Sequence, residues 1–129
     1  MTDRPNKSHG MRSAHVSTTP RDLSEDTARP GAWIVRIVTL FPEAFPGTLG
    51  LSLTGRALKD GLWRCETIDL RPFGKGRHRN VDDTPAGGGA GMVMRADVVG
   101  PAIEAASAHA HGRWPILYMS PRGRRFDQA

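Results

Sequence analysis

Trp33-Ile-Val-Arg-Ile-Val-Thr-Leu-Phe41 is apolar throughout except at Arg36 and Thr39, is rich in β-branched residues, and is closed by Pro42. A run of this length and composition reads as a strand buried on both faces, the kind a parallel sheet carries. Working downstream, Ser52 is placed to cap a short helix through Leu53, Ala57 and Leu58, with Gly61 as its stop. Trp63 to Leu70 reads as a second strand with Trp63, Cys65 and Thr67 on one face, ended by Pro72. Met92-Val-Met94 reads as a short strand. Asp97 then stands as the N-cap of a helix from about Val98 to Ala110, with Pro101 tolerated near its first turn. Its buried stripe is Val98, Val99, Ala102, Ile103 and Ala106. Pro115-Ile-Leu-Tyr-Met119 is a further apolar strand entering the turn Ser120-Pro-Arg-Gly123. Strands alternating with helices predict an α/β fold with a largely parallel sheet.

Upstream of Ala32 the composition changes. Residues 1–31 hold Pro5, Pro20 and Pro30, many Ser and Thr, and only scattered apolar residues such as Val16 and Leu23. So little apolar surface does not offset backbone ordering entropy, which predicts a disordered leader and a domain spanning 32–129. Asp3, Asp22, Glu25 and Asp26 argue against a transit peptide, and no apolar core of a secretory signal follows the early charges. At the other end, Phe126-Asp-Gln-Ala129 carries no Gly, Pro or polar tail. With only three or four strands before it, the sequence is expected to be cut off mid-domain.

The whole chain has 129 residues, 38% hydrophobic and 24% charged, which suits one domain. No apolar run reaches the roughly 18 residues that a membrane helix needs. A single cysteine, Cys65, excludes an intramolecular disulfide scaffold and points to a reducing cytoplasm, where it reads as a small core residue. Eighteen Lys and Arg against thirteen Asp and Glu give a net charge of +5, a balance that favours polyanionic partners, nucleic acid above all. Two clusters concentrate that charge: Arg71, Lys75, Arg77 and Arg79, then Arg113, Arg122, Arg124 and Arg125.

Residues 71–91 form a long polar stretch without period, a length that in a compact domain is functional or disordered. Within it, Pro85-Ala-Gly-Gly-Gly-Ala-Gly91 is not a Walker loop, because no Gly-Lys-Ser/Thr follows. Nor is it a dinucleotide fingerprint, since Met94 stands where the third Gly belongs. A ligand-facing loop is the better reading than a flexible linker. Asp82-Asp83 is a metal or acid–base candidate, yet neighbours in extended chain point oppositely, which favours a turn or a local Asx cap. His109-x-His111 lacks the helical spacing of three or four that one metal needs, and no metal site is expected. Arg77-His78-Arg79 fits either a phosphate clamp or a solvated basic loop. Ser120 lacks a Gly-x-Ser-x-Gly elbow, so its turn is expected to line a ligand crevice beyond a strand's carboxyl end.

Five stretches carry a family resemblance, in order: Leu40-Phe-Pro-Glu43; Thr54-Gly-Arg-Ala57 with Lys59-x-Gly61; Arg77-His-Arg-x-Val-Asp-Asp83; Pro85-x-Gly-Gly-Gly-x-Gly-Met92; and Ser120-Pro-x-Gly-Arg124. Over Trp33 to Ala129 the chain resembles the bacterial tRNA (guanine-N1)-methyltransferases, the TrmD family. The resemblance implies a parallel-sheet, trefoil-knotted α/β methyltransferase domain of the SPOUT class, truncated here before the knot is complete, and a homodimer in the whole protein. It implies transfer of a methyl group from S-adenosylmethionine to N1 of the guanine 3′ of the tRNA anticodon, position 37. Carried onto this sequence, Tyr118, Met119, Ser120, Pro121 and Gly91 bind the cofactor. Arg77, His78, Arg79, Asp82, Gly87, Gly88 and Gly89 bind tRNA, the glycines lying against the cofactor and the target base. Ala86 stands where the family usually has Tyr, Ala90 where it has Pro, and Pro72 where Asp is frequent. The family's Gly-Arg-Tyr-Glu-Gly stretch and its catalytic Arg and Asp are absent, so no catalytic residue is assigned and the chain by itself is expected to be inactive. The rival expectation is a non-catalytic RNA-binding α/β module. Against it, eight aromatic residues in the whole chain are few for a base-stacking platform.

Overall fold

In a computed structural model, which describes residues 18–23, 29–108, 110 and 112–128, the frame is a parallel strand pair. β2 (Trp33–Thr39) and β3 (Trp63–Asp69) pair in register from Trp33 opposite Trp63 to Thr39 opposite Asp69. Between them the chain passes through 3-10 turns at Pro42–Ala44 and Gly47–Gly50 and then α1 (Ser52–Lys59). β1 (Arg21–Asp22) runs antiparallel along the free edge of β3, giving the order β1-β3-β2. β3 is therefore central, and Cys65, Glu66, Thr67 and Ile68 are all buried. β2 is an edge strand and only half-buried from Ile34 to Thr39, not buried on both faces as its composition predicts. Among the described residues no neighbour covers its outer side.

Alternation along the strands decides which helix lies where. Trp63 donates its indole N–H to the Thr54 carbonyl at 2.9 Å, which sets α1 on the Trp63, Cys65 and Thr67 face. The opposite face carries Arg36 and Val38 and receives α2 (Ala96–Ser107). There Val98 and Ala102 pack with Leu70 and Val81 into the core, flanked by Val38, Leu40, Phe73 and Val99.

The two ends of α1 fare differently against expectation. Gly61 has φ +68, and the N–H groups of Gly61 and Leu62 bond the carbonyls of Leu58 and Ala57 at 3.1 and 2.9 Å, a Schellman closure as predicted. Ser52 does not cap: it is the first helical residue, with φ +53, and the extended Leu51 holds the cap position without a side-chain bond. Gly55 is obligatory, since a Cβ there would stand 2.1 Å from the Gly50 carbonyl oxygen. α2 likewise starts at Ala96 and ends at Ser107, earlier at both ends than predicted, with Arg95 as its N-cap residue. Asp97 lies in the first turn, where its charge suits the helix dipole, and binds the Arg95 side chain instead of capping.

Three further expectations are corrected. Asp82–Asp83 is not a turn but strand β4, antiparallel to β5 (Val93–Met94). Pro115–Met119 is not a strand: no described residue pairs with it, and Ile116, Leu117, Tyr118 and Met119 are exposed. Within the predicted leader, residues 21–23 are ordered against β3. Leu23 donates its N–H to the Cys65 carbonyl at 2.8 Å, and Asp22 pairs with Arg64. A charge pair and an open sheet edge supply what apolar composition lacks. Residues 1–17 and the two histidines, His109 and His111, lie outside the described residues. No described helix is long and apolar enough to cross a membrane.

Candidate functional site

The stretch from Arg71 to Arg95 leaves the core and returns to it, and two buried residues fix its base. Leu70 enters a 3-10 turn at Arg71–Phe73, and Val81 is held at the far side by the Arg95 N–H on its carbonyl at 2.9 Å. Between them Lys75 and Asn80 exchange both backbone hydrogen bonds, at 3.0 and 2.9 Å, and close a loop of Gly76, Arg77, His78 and Arg79. Gly74 permits the closure: a Cβ there would lie 2.3 Å from the Arg79 carbonyl oxygen. The three side chains of the predicted phosphate clamp are thus held together on one exposed turn. Among the described residues neither Arg77 nor Arg79 has an ion pair, in contrast to Arg71, whose guanidinium lies near Asp69 and over the Phe41 ring.

β4 and β5 then form a hairpin whose tip is the Gly-rich loop. The Gly88 N–H bonds the Pro85 carbonyl at 2.9 Å, and Gly87, Gly88, Gly89 and Gly91 have φ of +86, +81, +121 and +97. Backbone of this kind is the reason for glycine here, because L side chains strain in it. All four face open space. At the hairpin's foot, Arg95 bonds Asp97 at 2.8 Å and approaches Asp83 at 3.4 Å. That hydrogen bond from Arg95 holds the Asp97 carboxyl below its ordinary range, and the Arg95 guanidinium is held in its charged form. Asp83 also accepts the Thr84 N–H at 2.8 Å, whereas Asp82 is half-buried on the other side of the strand.

The predicted cofactor residues form a second group. Tyr118 and Met119 are 74% and 85% exposed, with backbone groups in no sheet ladder. Ser120 accepts the Arg122 N–H on its hydroxyl at 3.2 Å and the Gly123 N–H on its carbonyl at 2.9 Å, so its side chain builds the turn. Among the described residues no hydrogen bond or ion pair joins 115–121 to 85–91. Val81, bonded to the Arg95 N–H, links the foot of the basic turn to the foot of the Gly-rich hairpin. Among the described residues no cluster of His, Cys, Asp or Glu is placed to hold a metal. Burial pushes the Cys65 thiol up, with Asp22 and Glu66 adding to the shift, so it stays protonated at neutral pH.

Sequence reasoning missed Arg36. Its Nε bonds Glu66 at 2.6 Å, its Nη1 donates to the Ala106 and Ala108 carbonyls at 2.6 and 2.7 Å, and its guanidinium lies 4.9 Å from the Trp114 ring centre. The signal was its being the one charged residue in Trp33–Phe41.

Comparison with known proteins gives the context. The chain is 73% identical over 106 residues to a tRNA (guanine-N(1)-)-methyltransferase of Roseobacter denitrificans, covering 82% of this chain and 44% of that protein. A protein of the same name from Gluconobacter oxydans is 62% identical over 96 residues, covering 74% of this chain and 40% of that protein. The chain thus spans about two-fifths of the length of these relatives. Residues 33–129 match the family described as tRNA (Guanine-1)-methyltransferase TrmD, and to that family the chain belongs.

Proposed function

We propose that the full-length protein transfers a methyl group from S-adenosylmethionine to N1 of guanine 37 in tRNA, as a homodimer built on a SPOUT-class knotted domain. The observation that carries this reading is the family match running unbroken from residue 33 to 129, through the basic turn, the Gly-rich hairpin and the Ser120 turn. In it Arg77, His78 and Arg79 grip the phosphate backbone from their closed turn, with Asp82 supporting that loop's foot. Gly87, Gly88 and Gly89 let backbone approach the target base without a side chain in between.

The exposed Tyr118 and Met119, with unladdered backbone donors and acceptors and the tight Ser120-Pro121 turn, suit one wall of a site for a flat, hydrogen-bonding adenine. Gly91 borders that wall in this reading. When bound, the cofactor supplies an electrophilic methyl on a sulfonium sulfur. Guanine N1 carries a proton at neutral pH, so a general base must remove it. Asp83 is engaged with Arg95 and Thr84. No residue of 33–129 is assigned the base, and the chain by itself is inactive in this reading.

The test is methyl transfer by the full-length protein to tRNA transcripts with guanine or adenine at position 37, read as a reverse-transcription stop. A stop with guanine alone supports the reading. Binding of both transcripts without transfer refutes it in favour of an RNA-binding module.

A further inference from the structure

We propose that Arg36 is a positioning residue for the cofactor-binding segment 115–121, acting through Trp114 and the C-terminal end of α2; this rests on the functional reading above. Just before segment 115–121 the chain is held at Trp114 by Arg36. Its side chain is 12% exposed and uses three kinds of recognition at once. Nε meets the Glu66 carboxylate, which is 9% exposed and stands opposite Arg36 in the β2–β3 register. Nη1 takes the Ala106 and Ala108 carbonyls, which the end of α2 leaves without helical partners. The guanidinium face stacks on Trp114, the residue before Pro115.

The pieces are coupled because one rigid group serves all of them. A planar fork offers separate donors along its edge and a face for stacking, whereas an ammonium is a single point charge. Glu66 is shared as well: its other oxygen lies 3.5 Å from Arg64, which pairs with Asp22 of β1. Arg36 is thereby fixed from the sheet side, and its guanidinium carries Trp114. Moving the guanidinium moves the start of 115–121.

Arg36→Lys in the full-length protein tests this, because it keeps a cation opposite Glu66 while losing the fork and the stacking face. Expected is a rise of about tenfold in KM for S-adenosylmethionine, the equivalent of one charge-assisted hydrogen bond, with KM for tRNA and kcat at saturation within about twofold of the parent. Trp114→Leu leaves the Glu66 pair intact and is expected to raise the same KM. The double variant should be less impaired than the product of the single effects, since both remove one arrangement. If Arg36→Lys fails to fold, Trp114→Leu carries the test alone. A lower melting temperature with KM for S-adenosylmethionine unchanged, or an equal rise in KM for tRNA, overturns the inference. A parent that turns over while both variants match it overturns this inference only. A parent that binds no S-adenosylmethionine overturns the functional reading and this inference with it.

Discussion

Gly74 and Gly76 flank the start of the basic turn, and backbone preference alone ranks them in the wrong order. Gly76 has φ +72, where an L residue strains, but a Cβ there meets open space. Gly76→Ala should therefore cost about 1 kcal/mol, the left-handed penalty. Gly74 has φ −58 and ψ 153, which any residue adopts. Its added Cβ, however, would stand 2.3 Å from the Arg79 carbonyl oxygen and 2.5 Å from the carbonyl carbon. Those are backbone atoms, so the turn itself must move. Forced overpacking costs about 1–3 kcal/mol, and opening either Lys75–Asn80 hydrogen bond adds about 1 kcal/mol. Gly74→Ala should lose about 2–4 kcal/mol by that reckoning. Urea unfolding of the two full-length variants, followed by tryptophan fluorescence, measures the difference as a shift in midpoint. Gly74→Ala should also weaken tRNA binding, because Arg77 and Arg79 move with the turn, while Gly76→Ala should bind nearly as the parent does. If Gly76→Ala proves the costlier change, the close approach at Gly74 does not set the turn, and the reasoning fails.

Three other outcomes are expected. Replacing Arg77 and Arg79 together by Ala should reduce the log–log salt slope of tRNA binding by about 0.7–0.9 for each phosphate the turn no longer neutralises; a variant with the parent slope would make this turn a solvated loop. Removing residues 1–31 uncovers the edge of β3 that β1 protects, so light scattering should show association beyond the parent's own state; a monodisperse sample with an unchanged urea midpoint would deny β1 that role. Because Arg95 lowers the Asp97 pKa, this pair should stabilise the fold fully above the ordinary aspartate range and lose its effect as pH falls through the lower folded value. Asp97→Asn should accordingly flatten the acid limb of a stability titration, and an acid limb that stays as steep would remove the pair from the account.

The parts of the fold legible in the sequence are those that one segment decides for itself. Trp33–Thr39 and Trp63–Asp69 announced strands by composition, and Gly61 announced a helix stop because few other residues take φ near +68. Val98 and Ala102 were readable as a core stripe by their spacing of four. What was not legible depends on partners remote in sequence. Arg21–Asp22 is polar and reads as leader, yet it pairs because β3 has an open edge and Arg64 waits beside Asp22. Pro115–Met119 has as strong a strand signature as β2, but composition supplies only half a strand. The other half is a row of donors and acceptors alongside, and among the described residues none is there.

The same distinction separates the two halves of the candidate site. The basic turn is specified locally: Gly74, the Lys75–Asn80 bridge and buried Val81 fix it within eight residues, so motif and geometry coincide. The Gly-rich loop is specified only as to what it permits. Four glycines at positive φ, each facing open space, define a backbone that can approach a ligand but not where that ligand lies. A fixed cationic turn beside a permissive loop therefore divides recognition in two. Under the proposed function, phosphate binding draws on a geometry set in advance, whereas base recognition requires the loop to settle on its target at an entropic cost. Substitutions in the turn should accordingly act on affinity and salt dependence, and substitutions in the loop on the placement of the base.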